Sequence, residues 1–280
     1  MSVRSASVLL MSAHHVIAGS EHSSVVLHVP HGSRHIPADA RAGMLLDDAE
    51  LEAELDRMTD TDTGVIAAGA ARTAALRPWI FENLASRLLI DPERFPDERE
   101  EMRAVGMGAV YTKTSHGDPL RREDAEQERR LLDEYFHPYA RSMAKLVDDR
   151  LDAAGKAVIL DVHSYPSKPL PYELHADGTR PAVCLGTDAF HTPQWLLDAA
   201  HTAFASCGEI ELNSPFAGCY VPLRHYGATP AVSALMVELR RDTYLTEPAG
   251  PPTEGLPRLT AALARLVDLC DRRLPRSEHR

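Results

Sequence analysis

Cysteine is scarce and scattered in this chain. Cys184, Cys207, Cys219 and Cys270 form no CxxC pair, which excludes a disulfide framework and a thiolate zinc site. GxGxxG, GxxxxGK[ST] and GxSxG are all absent, so dinucleotide, P-loop and serine-hydrolase chemistries find no support. No apolar run approaches the roughly 18 residues of a membrane-spanning helix. The stretch at 8–11 is also too short for the core of a signal peptide, and the expected location is the cytoplasm. Basic charge is the minority: 30 Lys and Arg stand against 41 Asp and Glu, a net charge of −11. That balance argues against a nucleic-acid footprint. It leaves room for a small anionic ligand, because a local arginine cluster can override the global sign. No internal repeat is found. Nothing in the sequence indicates an oligomeric state.

The remaining composition is that of a soluble globular protein, 44% hydrophobic and 25% charged over 280 residues. Strand signals fall near 24–30, 77–82, 86–91, 157–162, 182–187 and 233–239. Helical patterns fall between them. Residues 47–59 open with acids, as the positive end of a helix dipole favours. Residues 122–154 carry a 3.6-residue apolar period, with Pro138 expected to kink or divide the helix. Residues 193–205 and 257–274 complete the helical set. Strands alternating with helices predict a three-layer α/β fold. We read residues 1–23 as an irregular lead-in and 24–280 as one domain. Three loop-like stretches, 92–121, 164–181 and 213–232, are long enough to be binding loops.

Three of the apolar strands stop at residues that bind metals or move protons. They are VVLHVPHGSRHIP (25–37), AVILDVHSYP (157–166) and ALMVELR (234–240). In open α/β sheets, ligands bind beyond the carboxyl ends of such strands. His31, His163 and Glu238 lie at or just past three of those ends. A lone histidine in a turn is more commonly a hydrogen-bonded loop residue, but His163 repeats the context of His31. Asp161 shares a strand face with His163 by the period of two and could orient its ring. Two histidines need a third ligand to make an open zinc site. The acidic run Asp56–Gly64, read as a helix end entering a glycine-containing turn, is the source of that ligand. An EF-hand is excluded, because its acidic spacing is not present. Glu238 ends an otherwise apolar strand, where a charge is costly unless paired or functional. Arg240 is its candidate structural partner. General base is its candidate functional role, accepting a proton from the attacking water. Arg87, Arg94 and Arg224, with Tyr226 in the same loop as Arg224, are candidates for holding an anionic substrate, since arginine matches a carboxylate in bidentate geometry. These residues together point to a hydrolase with a bound divalent metal, zinc.

Seven ordered elements resemble the N-formylglutamate amidohydrolase family. They are VPHGSRHIP (29–37), RMTDTDT (57–63), SRLLIDPER (86–94), VYTKTS…PLR (110–121), ILDVHS (159–164), NSPFAGCYVPLRHYG (213–227) and MVELRRDTYL (236–245). The resemblance implies a fold similar to the zinc carboxypeptidases, with a mainly parallel mixed sheet between helical layers. It implies zinc-dependent hydrolysis of an N-formyl amino acid, formylglutamate to formate and glutamate, with His31, Asp60 and His163 as metal ligands. Asp62 replaces Asp60 if the register slips by two. Glu238 falls at the position of the base. Three departures touch the loops: Glu93 stands where the family's Asp-x-Asn-Arg has Asn, Thr61 replaces an aromatic residue, and Cys219 replaces a glycine. The alternatives are another small N-acyl amino acid amidohydrolase, a carboxypeptidase-like metallopeptidase, and a metal-stabilised binding module without activity.

Overall fold

The computed structural model describes residues 13–174 and 176–272. A seven-stranded sheet runs through it. The strands are β1 (His14–Ile17), β2 (Val25–Val29), β3 (Trp79–Asn83), β4 (Ala157–Tyr165), β5 (Val183–Gly186), β6 (Ile210–Leu212) and β7 (Val232–Arg240). Their spatial order is β1-β3-β2-β4-β7-β5-β6. The central run β3-β2-β4-β7 is parallel, β1 and β5 join it antiparallel, and β6 pairs parallel to β5. The helices are α1 (Ala38–Arg41), α2 (Asp48–Met58), α3 (Thr63–Thr73), α4 (Ala125–Leu131), α5 (His137–Ala154), α6 (Gln194–Phe204) and α7 (Gly255–Asp271). The expected three-layer α/β/α architecture with a mainly parallel mixed sheet is what forms.

The two faces of the sheet are filled differently. Val25, Leu27 and Val29 of β2, Val158, Leu160 and Val162 of β4, and Leu235, Val237 and Leu239 of β7 share one core with α3, α6 and α7. Helix α3 approaches α7 closely because it is built of small residues. A Cβ on Gly69 would lie 2.6 Å from Thr260 Cγ2. On the other face, Val26, Ala157, Ile159 and Ala234 pack against Tyr139, Met143, Leu146 and Val147 of α5. That apolar layer covers only the lower part of the strands.

Several expectations are corrected. Residues 14–17, placed in the irregular lead-in, form edge strand β1 on β3; residues 1–12 of that lead-in lie outside the described residues. The run 86–91 is a turn, not a strand, with Leu89 N–H donating to Ser86 O at 2.9 Å. The turn brings Arg87 and Asp91 together across one helical step, a contact that a strand would forbid. Gly64, expected in a turn, lies inside α3, whose Ala-rich sequence lacks a strong period. The long helix absorbs Pro138 through a π turn over Leu132–Phe136, after which α5 begins with the proline in its first turn. The π turn takes up the missing Pro138 N–H while the helix stays continuous, with His137 N–H donating to Leu132 O. Asp47 caps α2 in a reciprocal capping box with Glu50.

Candidate active site

The functional side chains gather where the second sheet face turns from apolar to polar. Pro30 ends β2, and His31 follows in a turn fixed by Asn83 Nδ2 donating to Pro30 O at 2.8 Å. Asp60 leaves the C-terminus of α2, and its N–H donates to His31 O at 3.0 Å. The next residue but one, Asp62, adopts a left-handed conformation (φ 64°) and starts α3. Thr63 Oγ1 then donates back to Asp60 O at 2.7 Å. This tight reversal is what aims Asp60 inward and leaves Asp62 outside the cluster. His163 lies on β4 directly beside Glu238 of β7.

Three donor atoms converge. His31 Nδ1 is 3.2 Å from His163 Nδ1 and 3.7 Å from Asp60 Oδ2, and His163 Nδ1 is 3.1 Å from the same oxygen. All three residues are buried. Each histidine has a carboxylate at its other nitrogen: His31 Nε2 is 2.9 Å from Asp91 Oδ1, and His163 Nε2 is 3.1 Å from Asp161 Oδ1. Metal-ligating imidazoles are oriented in this manner. Burial and Arg87 disfavour a charged His31 ring, but Asp91 and Asp60 outweigh them and raise its pKa. Burial likewise opposes a charged His163, while Glu93 and Asp161 lift its pKa well above the ordinary value. Burial would raise the pKa of Asp60, yet its bonds from His163 and His31 hold it down. The field of the pocket therefore attracts protons or cations. Two imidazoles and a carboxylate are a donor set that fits zinc with a position left open, and metal binding would displace those protons.

Glu238 completes the centre. Burial, reinforced by the charge of Asp60, pushes its pKa up to about 7 against the opposing pull of His163. Its Oε2 is buried without a hydrogen bond. Arg240 is not its partner: that guanidinium holds Asp242 at 2.7 Å, because the strand ends there and the side chain turns out.

The cluster forms the floor of a cavity of about 410 Å³, lined also by Arg57, Arg87, Arg94, Tyr172, Tyr226 and Arg241. Arg87 donates to Asp91 Oδ2 at 2.8 Å and to Tyr111 at 3.1 Å, so it holds the carboxylate that orients His31. Arg94 is 3.7 Å from Asp91 and keeps a buried Nε without a hydrogen bond. Tyr226 stands at the rim, 44% exposed. Arg224 does not reach the cavity. Its side chain is 68% exposed and pairs with Asp148 of α5 at 2.9 Å, since the turn after Pro222 directs it away from the sheet. Sequence reasoning missed Asp91, Glu93, His28 and Arg241. Arg241 is fully buried, 3.4 Å from Asp60 Oδ1, and donates to Arg57 O at 2.6 Å. The i,i+4 pair Arg87/Asp91 and a histidine inside the apolar strand β2 were signals for two of the four.

A model of the N-formylglutamate amidohydrolase family matches residues 23–245. The chain belongs to that family. It is 30% identical over 241 residues to an N-formylglutamate deformylase of Pseudomonas aeruginosa, covering 80% of this chain and 83% of that one. A second N-formylglutamate deformylase, from Pseudomonas putida, is 30% identical over 174 residues, 58% of this chain and 62% of that one. Among solved structures, an N-formylglutamate amidohydrolase from Ralstonia eutropha superposes with a TM-score of 0.78 at 19% identity, covering 94% and 98% of the two chains. A protein of Agrobacterium tumefaciens gives 0.65 at 17% identity, over 94% of each. The two superpositions establish that the fold of this amidohydrolase family chain is shared; its chemistry rests on its own residues.

Proposed function

We propose that the chain hydrolyses the formamide bond of N-formylglutamate to formate and glutamate, using one zinc ion held by His31, Asp60 and His163. The observation that carries this reading is the convergence of those three donor atoms beside a base-competent carboxylate, Glu238, in an arginine-lined cavity of an N-formylglutamate amidohydrolase family member. The relatives named above as deformylases supply the substrate class.

A zinc ion in that position supplies Lewis acidity toward water and the formyl carbonyl. The protein's own groups do the rest. Glu238 accepts a proton from the attacking water and delivers it to the leaving nitrogen. A carboxylate with a pKa of about 7 is suited to both transfers near neutral pH. Asp91, hydrogen-bonded to His31 Nε2, fixes that ring, and Asp161 lies beside the ring of His163. Arg87 and Arg241 steady the carboxylates Asp91 and Asp60. Arg94 is the guanidinium left to hold a substrate carboxylate, with Tyr226 at the mouth. The burial of this machinery under the loops 92–121 and 213–232 strengthens each electrostatic contact.

Formate release from N-formyl-glutamate, -aspartate, -methionine and -leucine, compared with acetylated analogues and dipeptides, tests the assignment. A preference for the diacidic formyl substrate supports it. Equal rates on the neutral formyl substrates, or cleavage of dipeptides alone, would turn the reading to a different N-acyl amino acid or to a peptidase. A metal-stabilised binding module would show no turnover on any of them.

A further inference from the structure

We propose a second divalent-cation site in this chain, on the far side of the His163 ring, formed by His28 Nδ1, Asp161 Oδ1, a carboxylate oxygen of Glu93 and His163 Nε2. The occupant is a metal of the zinc class, and His163 bridges it to the first site. The proposal rests on the preceding section only in that His163 Nδ1 serves the first metal.

Three of the donors, on His28, Asp161 and Glu93, lie close together, and His163 Nε2 adjoins two of them. His28 Nδ1 is 2.8 Å from Asp161 Oδ1 and 3.4 Å from Glu93 Oε1. His163 Nε2 is 3.1 Å from Asp161 Oδ1 and 3.1 Å from Glu93 Oε2. His28, Glu93 and Asp161 offer ligand atoms that all lie within 4.8 Å of one another. His28 is fully buried in β2, and Asp161 and His163 are nearly so in β4; Glu93 joins them from the loop after the 86–91 turn. The other atoms of these side chains are committed in ways that leave the inward ones available. Tyr139 Oη is 2.5 Å from His28 Nε2, and the Tyr220 N–H donates to Asp161 Oδ2 at 3.2 Å.

Two features of the cluster are unaccounted for without a cation. First, His163 is 3% exposed, and its Nε2, despite two carboxylate oxygens at 3.1 Å, makes no hydrogen bond. Neither oxygen meets the geometry of a hydrogen bond from that nitrogen. A proton there goes unbonded, whereas a cation beside the nitrogen would have both oxygens within reach. Glu93 Oε1 is likewise buried and unbonded. Second, the carboxylates around the two histidines are neutralised unequally. Asp60 has Arg241 at 3.4 Å and Arg87 at 4.0 Å, and Asp91 has Arg87 at 2.8 Å and Arg94 at 3.7 Å. Among the described residues, Asp161 and Glu93 pair with histidines alone and with no arginine or lysine. A buried and a largely covered carboxylate, both 3.1 Å from one imidazole nitrogen, are costly without a compensating charge. Two imidazoles and two carboxylates form a four-donor set of the kind zinc accepts. Occupancy of both sites requires His163 to give up both ring protons, which pass to solvent as the metals bind. Glu93, which stands where the resembling family has asparagine, supplies the carboxylate that sets this chain's cluster apart.

The test strips the full chain of metal, reloads it with excess Zn²⁺ and dialyses it. Zinc per chain is then measured by elemental analysis, and crystals are examined by anomalous scattering at the zinc edge. The wild type is expected to hold two equivalents, with one anomalous peak on each side of the His163 ring. Glu93→Gln, and Glu93→Asn as a second truncation of the same ligand, should retain one equivalent and lose the Nε2-side peak, with an unchanged circular dichroism spectrum. Asp60→Asn should lose the other peak. One equivalent in the wild type, lost in Asp60→Asn and kept in Glu93→Gln, upholds the first site and overturns the second. Two equivalents that both persist in Glu93→Gln and Glu93→Asn overturn it as well. One equivalent lost in Glu93→Gln and kept in Asp60→Asn would uphold the second site and remove the first.

Discussion

Both faces of strands β2, β4 and β7 are buried, and they are chemically opposite. Along β4, Val158, Leu160 and Val162 continue one apolar face without interruption. The other face begins as Ala157 and Ile159 and then switches to Asp161 and His163, all of them nearly inaccessible. β7 repeats the switch from Ala234 to Glu238, and β2 from Val26 to His28. The apolar face is stabilised by removal of hydrocarbon from water, a non-directional effect that tolerates repacking. The polar face is stabilised only so far as each buried charge finds a partner in fixed geometry. The first face is therefore expected to carry stability and the second activity. Substitutions on the two should separate these properties.

The largest separation comes from the metal ligands. Asp60→Asn or His163→Ala should reduce formate release to background and raise the zinc dissociation constant by orders of magnitude, as read by competition with a chelator. Activity that persists with undiminished zinc would remove these residues from the centre. Glu238→Gln comes next. Its turnover should fall by about 10²–10⁴-fold, with zinc content preserved; a loss of only a few-fold would move the base role elsewhere. On the apolar face, Leu160→Ala should cost about 2–5 kcal/mol in denaturant unfolding while kcat of the folded fraction stays within a factor of two or so, the range of effects away from the chemistry. A collapse of kcat with intact stability would show that the faces are not independent.

A smaller effect is expected among the arginines. Arg94→Ala should raise KM for formylglutamate by roughly 10–100-fold, the loss of one charge-assisted bond, whereas Arg224→Ala should leave it unchanged because that side chain holds Asp148. A KM effect at Arg224 would mean that its loop folds over the cavity during turnover. The smallest is a pH effect. The Glu238 pKa is raised from its ordinary value to about 7, so the fold favours its neutral form. That contribution is complete below about pH 4.5 and is lost as pH rises through 7. In metal-stripped protein, the melting temperature of Glu238→Gln should therefore gain on the wild type from pH 5 to pH 8. A constant gap would mean that Glu238 is not desolvated in solution.

Much of the polar face was legible, because a charge at the end of an apolar strand is conspicuous. His31, His163, Asp161 and Glu238 stand out for that reason, and the helices α2, α5 and α7 follow from caps and period. What escaped was held by contacts distant in sequence. The run 86–91 reads as a strand from its Leu-Leu-Ile core, but the attraction between Arg87, Asp91 and Tyr111 makes it a turn. Edge strands β1 and β6 are too short to show a period. Arg224 and Arg94 look alike as residues flanked by loops; only the fold decides that one faces Asp148 and the other the cavity.

Local chemistry, in the form of apolar runs, caps and prolines, determined that this chain would make a parallel sheet between helices and that histidines and a glutamate would end its strands. The tertiary structure alone decided which atoms converge. The distance between His31 Nδ1 and His163 Nδ1 depends on strand order and register across 132 positions of sequence. Spacing along the chain cannot encode that distance, because it is set by which strands lie side by side.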